Sequence, residues 1–440
     1  MKILNNIFYF RHVNELNKYI TGSKKSLLIS KIELERYNKF NKEVDKVIIS
    51  DINNLILRKK KYDLIIISDL LENSEDLYNF LHKLLENLTS DGKLVISSIN
   101  SRWLLINYFL EFFNLKNKSQ IKTPPKAKNI ISNAKTSNLD LVQKNTRQFI
   151  PFKFLYFGSF INSFLEILFF KFHLGIRSYL VFKNSTSSKT IYSKTIIIPA
   201  KNEAQNLPIL FDRLPSIQPN PEIIIACGKS TDNTLEVAKK IKINRKDLKI
   251  KIIEQTGNGK ANAVYEAINS SQNDVIAIFD SDISVDPETL PTFFNLIDEN
   301  KADFVNGTRM VYKMEVGAMR QLNKIGNIVF QFLIKQVIRI PLTDSLCGTK
   351  IFKRKSFYSL VEWQKKMRVK DPFGDFDLIF NSAYIGDKFI ELPVHYKSRI
   401  YGETQISRFK DGYKLIVYFL RSFLIFNTSF YNSKFDKNHS

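Results

Sequence analysis

Short, β-branched apolar runs that stop abruptly in polar residues are what most limits the folds open to this chain. Ser26–Ser30, Lys46–Ser50, Tyr62–Ser68 and Lys93–Ser97 are such runs, with helical patterns such as 77–88 between them. Runs this short and this apolar predict strands buried on both faces, and strands alternating with helices predict a parallel, doubly wound sheet. Ser90-Asp91-Gly92 reads as a turn handing a helix into the last of these strands. The signature returns at 195–198, 221–227 and 274–279, beyond a small polar stretch, 184–189, that marks a linker. The expected architecture is α/β in two domains: 1–183, a linker 184–194, 195–412, and an amphipathic C-terminal segment and tail 413–440.

At 440 residues, 44% hydrophobic and 25% charged, the chain can fill two or three cores. Its formal net charge of +23 invites a negative partner: nucleic acid, an anionic membrane surface or a phosphorylated substrate, although part of it is a general Lys background. The cations are not interleaved with a nucleic-acid reading motif, so no nucleic acid is expected. Cys227 and Cys347 imply neither a disulfide framework nor a thiolate zinc site, which suits a reducing cytosol. The first residues lack the pattern of a signal peptide. Two apolar stretches, Phe154–Phe170 interrupted by Glu166 and Leu415–Phe426 interrupted by Arg421, are too short or too charged to span a bilayer; each reads as a core helix or as a segment lying in a membrane interface. Residues 317–335 read likewise, with an apolar stripe flanked by Arg320, Lys324 and Lys335.

The run at 274–279 delivers Asp280 and Asp282 at its exit. Side chains two apart on an extended segment share a face, so both carboxylates can converge on a hard cation, Mg²⁺ or Mn²⁺, able to grip a diphosphate. Taken alone, Asp-Ser-Asp is equally a polar turn.

Context decides between them. The series Ile196–Glu203, Ser230–Thr234, Gly257-Asn258-Gly259-Lys260-Ala261-Asn262-Ala263 and Asp280-Ser281-Asp282 resembles the family 2 glycosyltransferases of GT-A fold, and within them the dolichyl- or polyprenyl-phosphate sugar transferases. The resemblance implies a nucleotide-sugar site formed by Pro199, Asn202, Glu203, Cys227, Ser230, Asp232, Gly259, Lys260, Asp280 and Arg309, with Glu203 on the ribose, Arg309 on phosphate, and Asp280 and Asp282 as the metal pair. Cys227 stands where the family usually has a base-reading acid, and a thiol does not replace a carboxylate acceptor. Asp371–Leu378 carries Asp377 and Asp375, which the resemblance implies as general base or acceptor-positioning groups, and the basic loop with Arg399, Arg408 and Lys410 implies a closing segment over the diphosphate.

In the first domain, Tyr62–Asn73 and Leu84–Ile96 look like the second half of a class I S-adenosylmethionine-dependent methyltransferase. The glycine-rich turn such domains place after the first strand is missing, since Ile29–Glu35 contains no glycine, and Asp51 stands where a ribose-binding acid would be. An incomplete Rossmann-like, methyltransferase-type sheet without bound S-adenosylmethionine is expected.

The sequence therefore predicts an inverting, metal-dependent transfer from a nucleoside-diphosphate sugar to a polyprenyl phosphate or lipid-linked glycan, by a protein peripheral to the cytoplasmic face of a bacterial inner membrane. Transfer to a glycan hydroxyl, a non-catalytic scaffold and an active methyltransferase fusion are the competing expectations.

Overall fold

The computed structural model describes residues 2–30, 40, 43–49, 60–71, 77–103, 126–150, 158–169, 172–185, 189–312, 314–315, 321–340, 342–399, 401 and 408–427, the side chains of 2–10, 77–78, 158–159, 321–324 and 408–411 excepted. The chain divides into two compact units, Met1–Thr186 with Tyr384–Gly386 and Phe423–Ser440, and Ser187–Ala383 with Asp387–Ser422.

The first unit holds a six-stranded sheet. Its elements are α1 (Lys2–Thr21), β1 (Ser26–Ser30), β2 (Asp45–Ile48), β3 (Tyr62–Ser68), α2 (Leu77–Leu85), β4 (Leu88–Ile99), α3 (Ala127–Thr136), β5 (Leu139–Arg147), α4 (Gly158–Phe169) and β6 (Arg177–Asn184). Strand order is β2-β1-β3-β4-β6-β5; the first four strands run parallel, and β6 is antiparallel to both its neighbours. The apolar runs are continuous because both faces are covered. Leu27, Ile29, Ile65, Ile67, Leu94 and Ile96 pack with Phe80, Leu81, Leu84, Ile130 and Ala134, while Leu28, Leu64, Ile66 and Val95 pack with Val13, Leu16, Tyr19 and Ile20 of α1. One local reading fails. Ser90-Asp91-Gly92 is not a turn before the strand but lies inside β4, where the register jumps from Leu88 opposite Tyr62 to Lys93 opposite Leu64. The turn-forming residues make a bulge there.

The second unit comprises β7 (Lys194–Ala200), α5 (Asn206–Arg213), β8 (Glu222–Cys227), α6 (Thr234–Asn244), β9 (Lys249–Glu254), α7 (Lys260–Ser270), β10 (Val275–Ile278), α8 (Leu290–Asp298), β11 (Phe304–Thr308), α9 (Gln321–Ile338), β12 (Lys350–Lys353), α10 (Leu360–Met367), β13 (Phe389–Pro393), and α11 (Asp375–Ile385) and α12 (Arg408–Asn427) apart from their last residues, which fall in the first unit from Tyr384 and Phe423. Its seven strands are ordered β13-β11-β12-β10-β7-β8-β9. β10, β7, β8 and β9 are parallel, and β12 runs antiparallel between β10 and β11. Chain order reverses at β7, so the exits of β7 and β10 flank the crevice in which open α/β sheets bind ligands. The register pairs Ile197 with Ile278, the Phe279 N–H donates to the Ile197 carbonyl at 2.9 Å, and the Ser281 hydroxyl donates to the Pro199 carbonyl at 2.9 Å. These bonds deliver Asp280 and Asp282 to the mouth of the crevice.

Candidate functional site

Two carboxylates and two cations form the centre of the site. Asp280 Oδ1 lies 2.5 Å from the Lys260 ammonium, and Asp282 Oδ2 lies 3.0 Å from the Arg399 guanidinium. Burial pushes the Asp280 carboxyl up, but Lys260 more than offsets this and holds it below its ordinary value. Burial likewise lowers the Lys260 ammonium, and Asp280 and Asp375 carry it well above the usual lysine value. The second oxygen of Asp282, Oδ1, accepts the N–H and hydroxyl of Ser284 at 3.0 and 2.7 Å, which fixes the rotamer. Gly348 clears room for Asp280, since a Cβ at that position would lie 1.9 Å from Asp280 Oδ2.

Two glycines bring helix starts to this mouth. Gly259, at φ +85°, precedes Lys260 at the head of α7. Gly374, at φ +83°, precedes Asp375 at the head of α11, and a Cβ there would meet the Ala261 Cβ and Tyr265 hydroxyl at 3.2 Å. Asp375 pairs with Lys350 at 2.5 Å, and Lys350 also donates to the Cys347 carbonyl.

On the β7 and β8 side, Asn202 adopts φ +58° and its side-chain amide oxygen, Oδ1, accepts the Thr231 N–H at 2.8 Å. The Asn202 N–H donates to the Ser230 hydroxyl at 3.1 Å and the Ala204 N–H to Asp232 at 3.3 Å, so Ser230 and Asp232 brace the loop that presents Glu203. Glu203 accepts the Asn206 amide at 2.5 Å, and its carboxyl is raised to about 7, by burial first and then by the charges of Asp282 and Asp280. Pro199, Asn202, Glu203, Ser230 and Asp232 thus share one side of the mouth, while Lys260, Asp280, Asp282, Asp375 and Arg399 form the charged centre.

Oxygen donors on only two acids, two residues apart, do not make a closed cage. Among the described residues no group of three or more His, Cys, Asp or Glu is placed to hold a metal by itself. The donor set fits a hard divalent ion that completes its shell with diphosphate oxygens and water. Asp280 and Asp282 would hold it.

The sequence of this region matches the model of glycosyl transferase family 2 over residues 195–361. The chain carries a family 2 glycosyl transferase domain and is a glycosyltransferase. It is similar to a dolichyl-phosphate hexose transferase of Haloferax volcanii, 26% identical over 217 residues, which are 49% of this chain and 88% of that protein. A low-salt glycan biosynthesis hexosyltransferase, Agl6, of the same organism is 24% identical over 54% of this chain and 55% of its own length. Among solved structures, glucosyl-3-phosphoglycerate synthase from Mycobacterium tuberculosis in complex with Mn²⁺, UDP-glucose and phosphoglyceric acid aligns with 53% of this chain and 80% of its own at a TM-score of 0.41 and 14% identity.

Within the second unit, three expected site residues are committed elsewhere. Arg309 is not poised for phosphate: its Nε and Nη2 donate to the two oxygens of Asp344 at 2.6 and 2.8 Å, and its guanidinium lies 4.8 Å from the Tyr396 ring. Cys227 is core, buried at the end of β8 among Ile198, Ile225 and Ala238, and burial raises its thiol to about 11. Asp377 is not an open base. Tyr418 and Tyr265 donate to it at 2.5 and 3.0 Å, and the Gln364 amide at 2.8 Å, while Trp363 donates to the Tyr418 hydroxyl. Asp371 caps α11 by accepting the N–H groups of Phe376 and Asp377 at 2.7 and 2.9 Å. Burial pushes both Asp371 and Asp377 above the ordinary carboxylate range. The side chains of Arg408 and Lys410, and Asp51 in the first unit, lie outside the described residues. Lys350, Asp344, Tyr265 and Tyr418 received no role from sequence; only the run 343–352 hinted at the first two, and nothing local marks a tyrosine 41 residues away as the partner of Asp377.

Proposed function

We propose that the second unit transfers a sugar, with inversion, from a nucleoside-diphosphate donor to the phosphate of a polyprenyl phosphate lying in a membrane surface. The observation that carries this reading is the acid pair Asp280 and Asp282 at the mouth of the β7/β10 crevice, already matched by Lys260 and Arg399. In the transfer, an acceptor phosphate oxygen bonds to the anomeric carbon as the bond from that carbon to the donor diphosphate breaks, and the electron pair leaves on the diphosphate. Lys260 and Arg399 are within reach to neutralise that charge, where electrostatic help is largest. A bound Mg²⁺ or Mn²⁺ would supply further charge neutralisation on the diphosphate. Glu203, between the nucleoside side and the acids, is suited to the ribose hydroxyls.

The surroundings of Asp377 bear on the choice of acceptor. A hydroxyl nucleophile needs a base, whereas a phosphate monoester, with a second pKa of about 6, is largely ionised at neutral pH. Asp377 is enclosed by Tyr265, Tyr418 and Gln364, which favours the acceptor that needs no base. The dolichyl-phosphate name of the Haloferax relative supports the same class. A membrane surface is supported by the +23 charge and by exposed apolar stripes, Ile325, Ile328, Val329 and Phe332 on α9 and Tyr413, Ile416 and Leu420 on α12. Among the described residues no helix is long and apolar enough to cross a bilayer. Radiolabelled donor sugars incubated with polyprenyl phosphate and Mn²⁺ test the reading. Label in an acid-labile product is expected; label only in an acid-stable glycoside would replace it with transfer to a hydroxyl, and no transfer to any acceptor would leave a nucleotide-sugar-binding scaffold.

For the first unit we infer a methyltransferase-type sheet that works without its cofactor. The parallel β1, β3 and β4 and the order reversal at β1 support that reading. Saturable binding of S-adenosylmethionine in a calorimetric titration would overturn it.

A further inference from the structure

Helix α4 is inside out. On its inward side Asn162, Ser163 and Glu166 are 0%, 8% and 2% exposed, whereas Phe160, Phe164 and Leu168 on the outward side are 67%, 56% and 55% exposed. The polar side is well satisfied. Asn162 accepts the Phe149 and Ile150 N–H groups at 2.6 and 2.8 Å and donates to the Ile150 carbonyl, while Glu166 takes the Gln148 N–H at 2.9 Å and pairs with Arg11 at 3.3 Å. These bonds fix the rotation of the helix, because turning it to bury the phenylalanines would strip a buried carboxylate of its partners. The stripe continues past the helix end to Phe172, 60% exposed, whose ring meets that of Phe169. Arg102 donates to the Phe172 carbonyl at 2.7 Å, and the Trp103 indole N–H donates to the Leu174 carbonyl at 2.6 Å. Three outward side chains at i, i+4 and i+8, rising about 12 Å along the axis, end at a cation and an indole, the groups that sit at lipid headgroup level.

We propose that this face of α4, with Phe172, Arg102 and Trp103, is a lipid-contacting surface by which the first unit lies on an anionic bilayer. Charge complementarity selects that occupant: the chain carries +23 and the stripe ends at an exposed arginine. The proposal concerns the first unit and stands apart from the sugar-transfer reading, since it is tested without donor or acceptor. Full-length protein is mixed with phosphatidylcholine vesicles with and without phosphatidylglycerol. Trp103 and Trp363 are the only tryptophans and Trp363 is buried, so Trp103 dominates any lipid-induced change in fluorescence. The expected result is a blue shift with the anionic vesicles that Trp103→Phe removes. A Phe164→Ser, Leu168→Ser double variant is expected to weaken vesicle binding about tenfold or more at unchanged melting temperature. No shift on Trp103 together with wild-type vesicle binding by the double variant overturns the proposal. So does a lower melting temperature with vesicle binding intact, which would mean that the chain itself covers the face, and so does a dimer by light scattering that the double variant converts to monomer.

Discussion

Asp280 lies where it does because position 348 carries no side chain. Placing a Cβ 1.9 Å from its Oδ2 forces the carboxylate or the 347–349 backbone to move, so Gly348→Ala is expected to reduce Mn²⁺-dependent nucleotide binding by about tenfold or more while the circular dichroism spectrum stays native. Lys260 and Arg399 set the charge balance at the same spot. One divalent ion replacing two monovalent cations gains little alone, whereas a diphosphate gives the displaced cations a partner. Mn²⁺ is therefore expected to bind weakly by itself and more tightly with nucleoside diphosphate, and by reciprocity to tighten the nucleotide equally. Lys260→Met should raise the affinity for Mn²⁺ alone and shrink that coupling, which spin-resonance titration of free Mn²⁺ reads directly. Arg309 and Asp344 form a different kind of pair, fully committed to each other. Burial raises the Asp344 carboxyl, but Arg309 outweighs this and holds it down at about 2 against an ordinary 3.8. A depressed carboxyl contributes stability that is complete above its unfolded value and lost as pH falls through the folded one. Asp344→Asn is expected to cost ~3–5 kcal/mol at neutral pH, and the part of that deficit carried by the shifted carboxyl, about 2.5 kcal/mol, should shrink as pH falls from 4 to 2 in denaturant titrations.

At the scale of elements, the second unit is assembled around the head of α11. Asp371 caps it, Gly374 lets it approach α7, and Asp377 one turn in collects Tyr265 from α7, Gln364 from α10 and Tyr418 from α12. Four helices meet on this one carboxylate, which ties α11, carrying Asp375, to α7, carrying Lys260. Asp377→Asn is expected to lower stability by ~1–3 kcal/mol through the loss of charge-assisted hydrogen bonds. The acid limb of the pH–rate profile should stay in place, whereas a general base would take that limb with it.

Over the whole molecule, both units expose apolar helix faces on a strongly cationic chain. In the second unit α9 is held from inside by Asn327, which donates to Asp344 at 2.8 Å, and by Phe330 against Phe376, so its Ile325, Ile328, Val329 and Phe332 stripe is fixed outward. Replacing Ile328 and Phe332 by Asp is expected to weaken sedimentation with anionic vesicles, leaving the part carried by α4, while nucleotide affinity stays unchanged. Raising salt should weaken vesicle binding of the wild type in parallel, since the electrostatic part is screened within about 10 Å at 0.1 M.

The strands, the α/β class and the acid pair were legible in the sequence because each depends on local pattern: a buried strand needs a short apolar run, and two acids two residues apart share its exit. β5 shows no clear apolar run because its burial is uneven, and Ser90-Asp91-Gly92 reads as a turn because a bulge uses the same residues. Sequence also named Asp377, Arg309 and Cys227 as chemistry-bearing, and only tertiary contacts from distant segments show Asp377 enclosed by tyrosine and glutamine donors, Arg309 paired with Asp344, and Cys227 packed in the core. The rotation of α4 belongs to the same class of fact. Its composition says amphipathic, but which face turns inward was decided by Arg11 and the backbone of 148–150, since a buried carboxylate goes where its hydrogen bonds are.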